Sequence, residues 1–171
     1  MKNVLYHYTT FGYLEEILNS RFLKVSPWEK KNKIKRPALW LTKNPNWDNT
    51  ATKGYYDRET GERRSLTFEE QSTIFGCIRI TIPFKNTFCN WRKFKHVSKE
   101  PIELCNQLEI IGRKQGSNPD DWYVSFDDVA ATEIIAVDYW DGKEWVDISI
   151  DEDESITNSE TGDILNINQN G

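Results

Sequence analysis

The sequence predicts an α+β fold, and three observations carry that reading. Ile74, Gly76, Ile78, Ile80 and Ile82 alternate with Phe75, Cys77, Arg79 and Thr81, a period-two pattern that predicts a central strand ended by Pro83. Apolar residues recur at helical spacing over Phe11–Ser20 and again over Ser98–Lys114. Two strand-like runs, Glu133–Tyr139 and Glu144–Ile148, flank Asp141-Gly142, a strong hairpin signal. A chain of 171 residues is expected to form one domain and can bury roughly 70% of the surface its unfolded form exposes.

Leu5-Tyr6-His7-Tyr8-Thr9-Thr10 reads as a short strand with a polar edge. It runs directly into the first helix, where Phe11, Leu14, Ile17 and Leu18 share a face and Thr9 or Thr10 is available as N-cap. His7 is one of only two histidines. A neutral imidazole beside two hydroxyls at a strand end can hold a sugar hydroxyl or a polar ring, although a lone histidine in a strand is more often a satisfied structural residue. Phe22–Ser26 then reads as an extended piece closed by Pro27. Glu29–Pro37 is a basic connector carrying Lys30, Lys31, Lys33, Lys35 and Arg36: a solvated loop, or alternatively a mobile lid or phosphate contact.

Ala38–Thr42 predicts a second strand, and the polar, turn-rich Lys43–Lys53 that follows places Trp40 and Thr42 at the edge of a site. Gly54–Thr67 has the composition of a mobile excursion. Phe84–His96 interleaves aromatics with basic residues. That is either a stacking surface for single-stranded nucleic acid or, as favoured here, an amphipathic connector with Phe88, Trp91 and Phe94 facing inward. Ser98–Lys114 predicts a helix with Leu104, Cys105, Leu108 and Ile111 as its apolar set, broken by Gly116-Ser117-Asn118-Pro119. Asp120-Asp121 then lead the strand Trp122–Phe126. From Ser149 to Gly171 the chain is acidic and polar and predicts a loosely docked hairpin or a disordered tail. No internal repeat is present.

A net charge of −5 and a sequence pI near 5.2 give no global attraction to nucleic acid or an anionic membrane. Cys77, Cys89 and Cys105 are odd in number, without close spacing, and His96 completes no zinc pattern with them, so no metal is expected and reduced, buried thiols in a cytoplasmic protein are. No apolar run approaches the ~18 residues of a membrane span. Seven tryptophans are many for this length. Most should be packing residues, with part of the set lining a concave site for a flat ligand.

The order of elements, with His7-Tyr8-Thr9 on the first strand, Leu39-Trp40-Leu41-Thr42 on the second and a carboxylate leading an aromatic strand near the end, resembles the ADP-ribosyltransferase superfamily. More narrowly it is similar to the diphtheria-toxin and poly-ADP-ribose-polymerase branch with its His-Tyr-Glu signature. The resemblance implies one domain over residues 1–148, with 149–171 as the tail, and a split β-fold. In that fold two small, mostly antiparallel sheets with a few flanking helices surround a cleft for NAD. By position, His7 would bond a ribose hydroxyl on the adenosine or nicotinamide side, and the backbone of Tyr8 would hold the carboxamide. Trp40 falls where the family has a stacking tyrosine, Thr50 or Thr52 matches a hydroxyl after the second strand, and Thr9 and Thr42 complete the cofactor-binding set. Asp121 stands where the family has its catalytic glutamate, with Asp120 and Glu133 as alternative carboxylates. Its task would be to bond the ribose 2′-hydroxyl and to steady the oxocarbenium-like state as nicotinamide leaves. Aspartate brings the charge on a shorter arm.

The activity this resemblance implies is transfer of ADP-ribose from NAD to a macromolecular acceptor, protein or nucleic acid, by a bacterial or phage effector or toxin with room for a neutralising partner. The first alternative is a catalytically weak protein that holds NAD or an ADP-ribose derivative. The second is a nucleic-acid-binding or RNA-processing protein of the same fold.

Overall fold

The computed structural model describes residues 3–26, 29, 35–150 and 156–165. Positions 30–34 of the basic connector, Pro27, and positions 151–155 and 166–171 of the acidic tail lie outside the described residues. The strands are β1 (Val4–Thr9), β2 (Phe22–Leu23), β3 (Leu39–Thr42), β4 (Gly54–Tyr56), β5 (Arg63–Ser65), β6 (Ile78–Pro83), β7 (Cys89–Asn90), β8 (Trp122–Ser125), β9 (Val129–Ala130), β10 (Ala136–Trp140), β11 (Trp145–Ile150) and β12 (Ile156–Asn158). Four helices accompany them: α1 (Phe11–Ser20), α2 (Phe68–Ile74), α3 (Trp91–Val97) and α4 (Ile102–Lys114).

The α+β class holds. Where two small sheets were expected, however, eight strands join in one antiparallel sheet in the order β12-β11-β10-β6-β1-β3-β8-β7, beside the ribbons β2-β9 and β4-β5. The pairing within it is uneven. β1 runs against β6 over six residue pairs from Val4↔Pro83 to Thr9↔Ile78, and β3 against β8 over four from Leu39↔Ser125 to Thr42↔Trp122. Between β1 and β3 a single pair, Tyr6↔Thr42, holds the two halves together. The sheet therefore parts on the Thr9 side of Tyr6.

Alternation gives each face its own core. Leu5, Ile78, Ile80, Ile82, Leu39, Leu41 and Val137 share one face, where Leu14, Ile17 and Leu18 of α1 pack on them. Thr10 occupies the N-cap position of α1 in extended conformation, and Arg21 ends the helix in the left-handed region at φ 62°. The opposite face of β3-β8-β7 carries Ala38, Trp122, Val124 and Cys89, covered by Trp91 and Phe94 of α3 and Cys105 of α4. Phe88, Trp91 and Phe94 are thus buried, as the amphipathic reading of that segment expects.

Three elements differ from expectation. The central strand begins at Ile78 rather than Ile74, because Thr67 and Glu70 form a reciprocal capping box that starts α2 and carries Ile74 into a helix. The Gly54–Thr67 excursion contains the ribbon β4-β5, turned by Gly61 at φ 74°. Asp120 and Asp121 do not begin the strand. They close a 3-10 turn, Pro119–Asp121, capped by the Asn118 side chain. In the tail, β12 pairs with β11 and buries Ile156 against the main core.

Candidate functional site

His7 lies where the sheet parts. Once β3 has diverged from β1, the Trp40 carbonyl is left without a ladder partner from β1, and the His7 ring takes that place, with Nδ1 at 2.9 Å from the carbonyl oxygen. A carbonyl only accepts, so the proton is on Nδ1 and Nε2 is left as a bare acceptor. Burial pushes the imidazole down to about 4, against the opposing effect of the Trp40 carbonyl and with help from the Lys53 ammonium. The ring is therefore neutral at physiological pH. Opposite Ile80 in the ladder, it shares the face of Leu5 and Thr9.

Tyr8 points to the other face. Its hydroxyl donates to the Asn44 carbonyl at 2.7 Å and its ring packs on Trp47 and Trp145 with centroids 4.8 and 5.7 Å away. Thr9 is buried. Trp40 contributes its backbone to His7, while its indole turns to the face opposite the imidazole. There the N–H donates to Glu29 Oε1 at 2.7 Å and the ring packs against Phe94 and Trp91. The same Glu29 carboxylate accepts the Ala38 N–H at 2.8 Å, capping the free edge that the parting exposes.

Thr42 and Thr50 converge on a residue that carried no functional reading in the sequence. Asp48 is buried, and its two oxygens accept from Thr42 Oγ1 (3.3 Å), the Thr50 N–H (3.1 Å), Thr50 Oγ1 (2.6 Å), Ser117 Oγ (2.6 Å) and Trp122 Nε1 (2.9 Å). This hub ties β3, the 3-10 turn Asn49–Ala51, the end of α4 and β8 together. Its signal in the sequence was Asp48-Asn49-Thr50, an Asx turn. Thr52 Oγ1 donates to the Asn49 carbonyl at 2.8 Å, within the same turn.

Asp121 accepts the Lys43 N–H on its carbonyl at 2.9 Å, and its carboxylate accepts from Asn118 Nδ2 at 3.2 Å. By register it stands level with Lys43 and Leu5 and shares the face of His7. Two strand spacings across and two residues along place the two Cα atoms roughly 12 Å apart, with Leu41 and Tyr123 between. The structure therefore puts Asp121 and His7 on one face without contact. Asp120 is exposed, and Glu133 is ion-paired with Lys85.

Two cations belong to this neighbourhood. Lys53, part-buried, has its ammonium 5.5 Å from the Tyr13 ring centroid and its pKa lowered by burial, with no carboxylate paired to it among the described residues. Nothing in the polar run Lys43–Lys53 marked it. Lys43, over the Tyr123 ring at 4.9 Å, lines a hollow of about 230 Å³ with Asn90, Arg92, Asp120 and Tyr123. That hollow holds one ring system, below the roughly 300–1,000 Å³ of ordinary ligand pockets.

The six described tryptophans fall into two packed groups, Trp47, Trp140 and Trp145 with Phe68, and Trp40, Trp91 and Trp122 with Phe94. The three cysteines are free and buried, and burial pushes the Cys77 thiol up to about 12. Among the described residues no group of three or more His, Cys, Asp or Glu could hold a metal ion, and no helix is long and apolar enough to cross a membrane. No family model, curated protein or solved structure matches the chain.

Proposed function

We propose that the chain is an ADP-ribosyltransferase-like protein that holds NAD, as substrate, along the parting of its sheet. The observation that carries this reading is the His7 side chain bonded to the Trp40 carbonyl where β1 and β3 separate. It gives a neutral imidazole with a fixed tautomer and a free Nε2 acceptor, the group needed to receive a ribose hydroxyl. Lys53 is the countercharge for the diphosphate nearest that ring. In the transfer, the bond between the ribose C1′ and nicotinamide breaks, with the electron pair leaving on nicotinamide. An acceptor nucleophile forms the new bond at C1′ and gives up its proton. Asp121 supplies negative charge beside the oxocarbenium-like sugar once the ligand spans the gap from His7. Three free, buried thiols are in keeping with a reducing, cytoplasmic setting.

One observation favours the ligand-holding alternative: the Asp121 carboxylate is short, accepts a bond from Asn118 and stands apart from His7. A misplacement near 1 Å costs about a hundredfold in rate. The nucleic-acid reading has lost its stacking platform, because the aromatics of the 84–96 segment are buried.

Calorimetric titration of NAD into the protein and into His7→Ala, with nicotinamide release followed in the same samples, tests the reading. Binding lost in the variant, with nicotinamide released by the wild type, supports a transferase. Binding without release supports the ligand-holding alternative, and Asp121→Glu should then raise release. No binding refutes both.

A further inference from the structure

Helix α4 carries its apolar residues on the wrong side for a core helix. The residues it turns inward are Cys105, Glu109 and Gly112, at i, i+4 and i+7: Cys105 joins the core, Glu109 accepts from Trp91 Nε1 (2.9 Å) and Lys95 Nζ (2.9 Å), and Gly112 lies against the Trp122 ring. Leu104, Leu108 and Ile111 repeat with the same spacing about a quarter-turn away and are 37, 40 and 52% exposed. Ile102 and Ile110 on the same helix are exposed too. One 13-residue helix thus shows five large aliphatic side chains in a chain of mean hydropathy −0.70. Contiguous exposed apolar surface of this kind marks an interaction site.

The charges beside the stripe select the occupant. Glu103 sits in the first turn and Lys114 in the last. Neither has an ion-pair partner among the described residues, whereas Arg113 is paired with Glu109. We propose that α4 is a homodimer interface in which two copies pack their α4 helices antiparallel about a two-fold axis. That arrangement sets Leu104 of each copy beside Ile111 of the other, Leu108 near Leu108, and Glu103 within reach of Lys114 across both ends of the contact. It also opposes the helix dipoles favourably. A parallel pairing would set like charges together. A membrane-surface helix calls for a basic polar face, which the carboxylates of Glu103 and Glu109 deny. A helix of this length offers a strip about 20 Å long, smaller than a standard stable interface, so the dimer is weak, with Kd on the order of 100 μM.

Sedimentation of the full chain from about 10 μM to about 1 mM tests this. The weight-average mass should rise with concentration from 20.1 kDa toward twice that value. Leu108→Glu should remain monomeric over the range, with unchanged circular dichroism because the site is half exposed. Glu103→Lys and Lys114→Glu should each weaken association about threefold to tenfold, and the combined swap should regain wild-type association. A wild-type mass that stays at 20.1 kDa overturns the proposal and leaves the stripe to a different chain. Association retained in Leu108→Glu overturns α4 as the interface, and a combined swap no better than the single variants overturns the antiparallel pairing. Should Leu108→Glu misfold, the two exposed charge sites carry the test alone.

Discussion

Replacing Asp48 with alanine tests whether Thr42 and Thr50 serve the fold rather than a ligand. The substitution removes the acceptor of five donors at once. Three of these are hydroxyls, which can rotate toward other acceptors or water. The Thr50 N–H and the Trp122 indole N–H cannot, and Trp122 is buried. Each orphaned buried donor costs about 1–3 kcal/mol, and the partial loss of the hydroxyl bonds adds to that, so Asp48→Ala should cost about 3–5 kcal/mol. Asp48→Asn keeps one accepting oxygen. With that oxygen toward Thr50 and Ser117, its NH2 meets Trp122 Nε1–H donor to donor, while the Thr42 hydroxyl can turn and accept. One clash in place of two orphans predicts about half the loss. Urea unfolding followed by circular dichroism and tryptophan fluorescence measures both, against a total stability of about 5–15 kcal/mol for a domain of this kind. A loss below about 1 kcal/mol for Asp48→Ala would refute the hub as a determinant of the fold and return Thr42 and Thr50 to the ligand.

Further expectations follow from the same geometry. Because the folded imidazole of His7 is held at about 4 and the unfolded one at 6.5, the unfolded chain binds a proton that the folded chain refuses between those values. Stability should therefore fall as pH drops from 6.5 to about 4, by at most about 3 kcal/mol, and urea midpoints of His7→Gln over that range should lack this component. The Trp91 indole, Lys95 and Arg113 beside Glu109 hold its carboxyl at about 2, so its contribution is complete above 4.5 and lost as pH falls through about 2. Glu109→Gln should flatten the acid limb in that lower window, read by thermal melts at stepped pH. At Gly112 a Cβ would stand 2.3 Å from the Trp122 ring, so Gly112→Ala should destabilise by about 1–3 kcal/mol despite a helix-propensity gain of about 1 kcal/mol, with a higher urea midpoint as the opposing result.

Much of the fold was legible where one residue pattern had one structural use. The Asp141-Gly142 signal sits between paired strands with Trp140 opposite Trp145, and Ile78, Ile80 and Ile82 are all fully buried along one face. The extension of that strand back to Ile74 failed because alternation is local, whereas the capping box at Thr67 and Glu70, equally present in the sequence, commits the backbone to a helix before Ile74 is reached. Asp48 stayed hidden because its donors come from positions 42, 50, 117 and 122, and only the Thr50 contact is close enough in sequence to leave a trace.

The candidate site depends on an absence that no residue pattern encodes. Whether β1 pairs fully with β3 or parts from it after Tyr6 is decided by how each strand is held from its far side, by β6 through six pairs and by β8 through four. Twist accumulates between two such halves, and it is released at the weakest seam, where one pair remains. A histidine at position 7 can then be read in its proper role, since only there does a strand residue face a carbonyl that the ladder has released. The helical stripe of α4 obeys the same logic in reverse. Leu104, Leu108 and Ile111 announce an amphipathic helix without saying which side the domain will use, and the small residues Cys105 and Gly112 win the inner side because the Trp91 and Trp122 rings already fill the space an inward leucine would need. Packing volume rather than hydrophobicity sets the orientation of that helix, and the surface it leaves outside is the one assigned to a second copy of the chain.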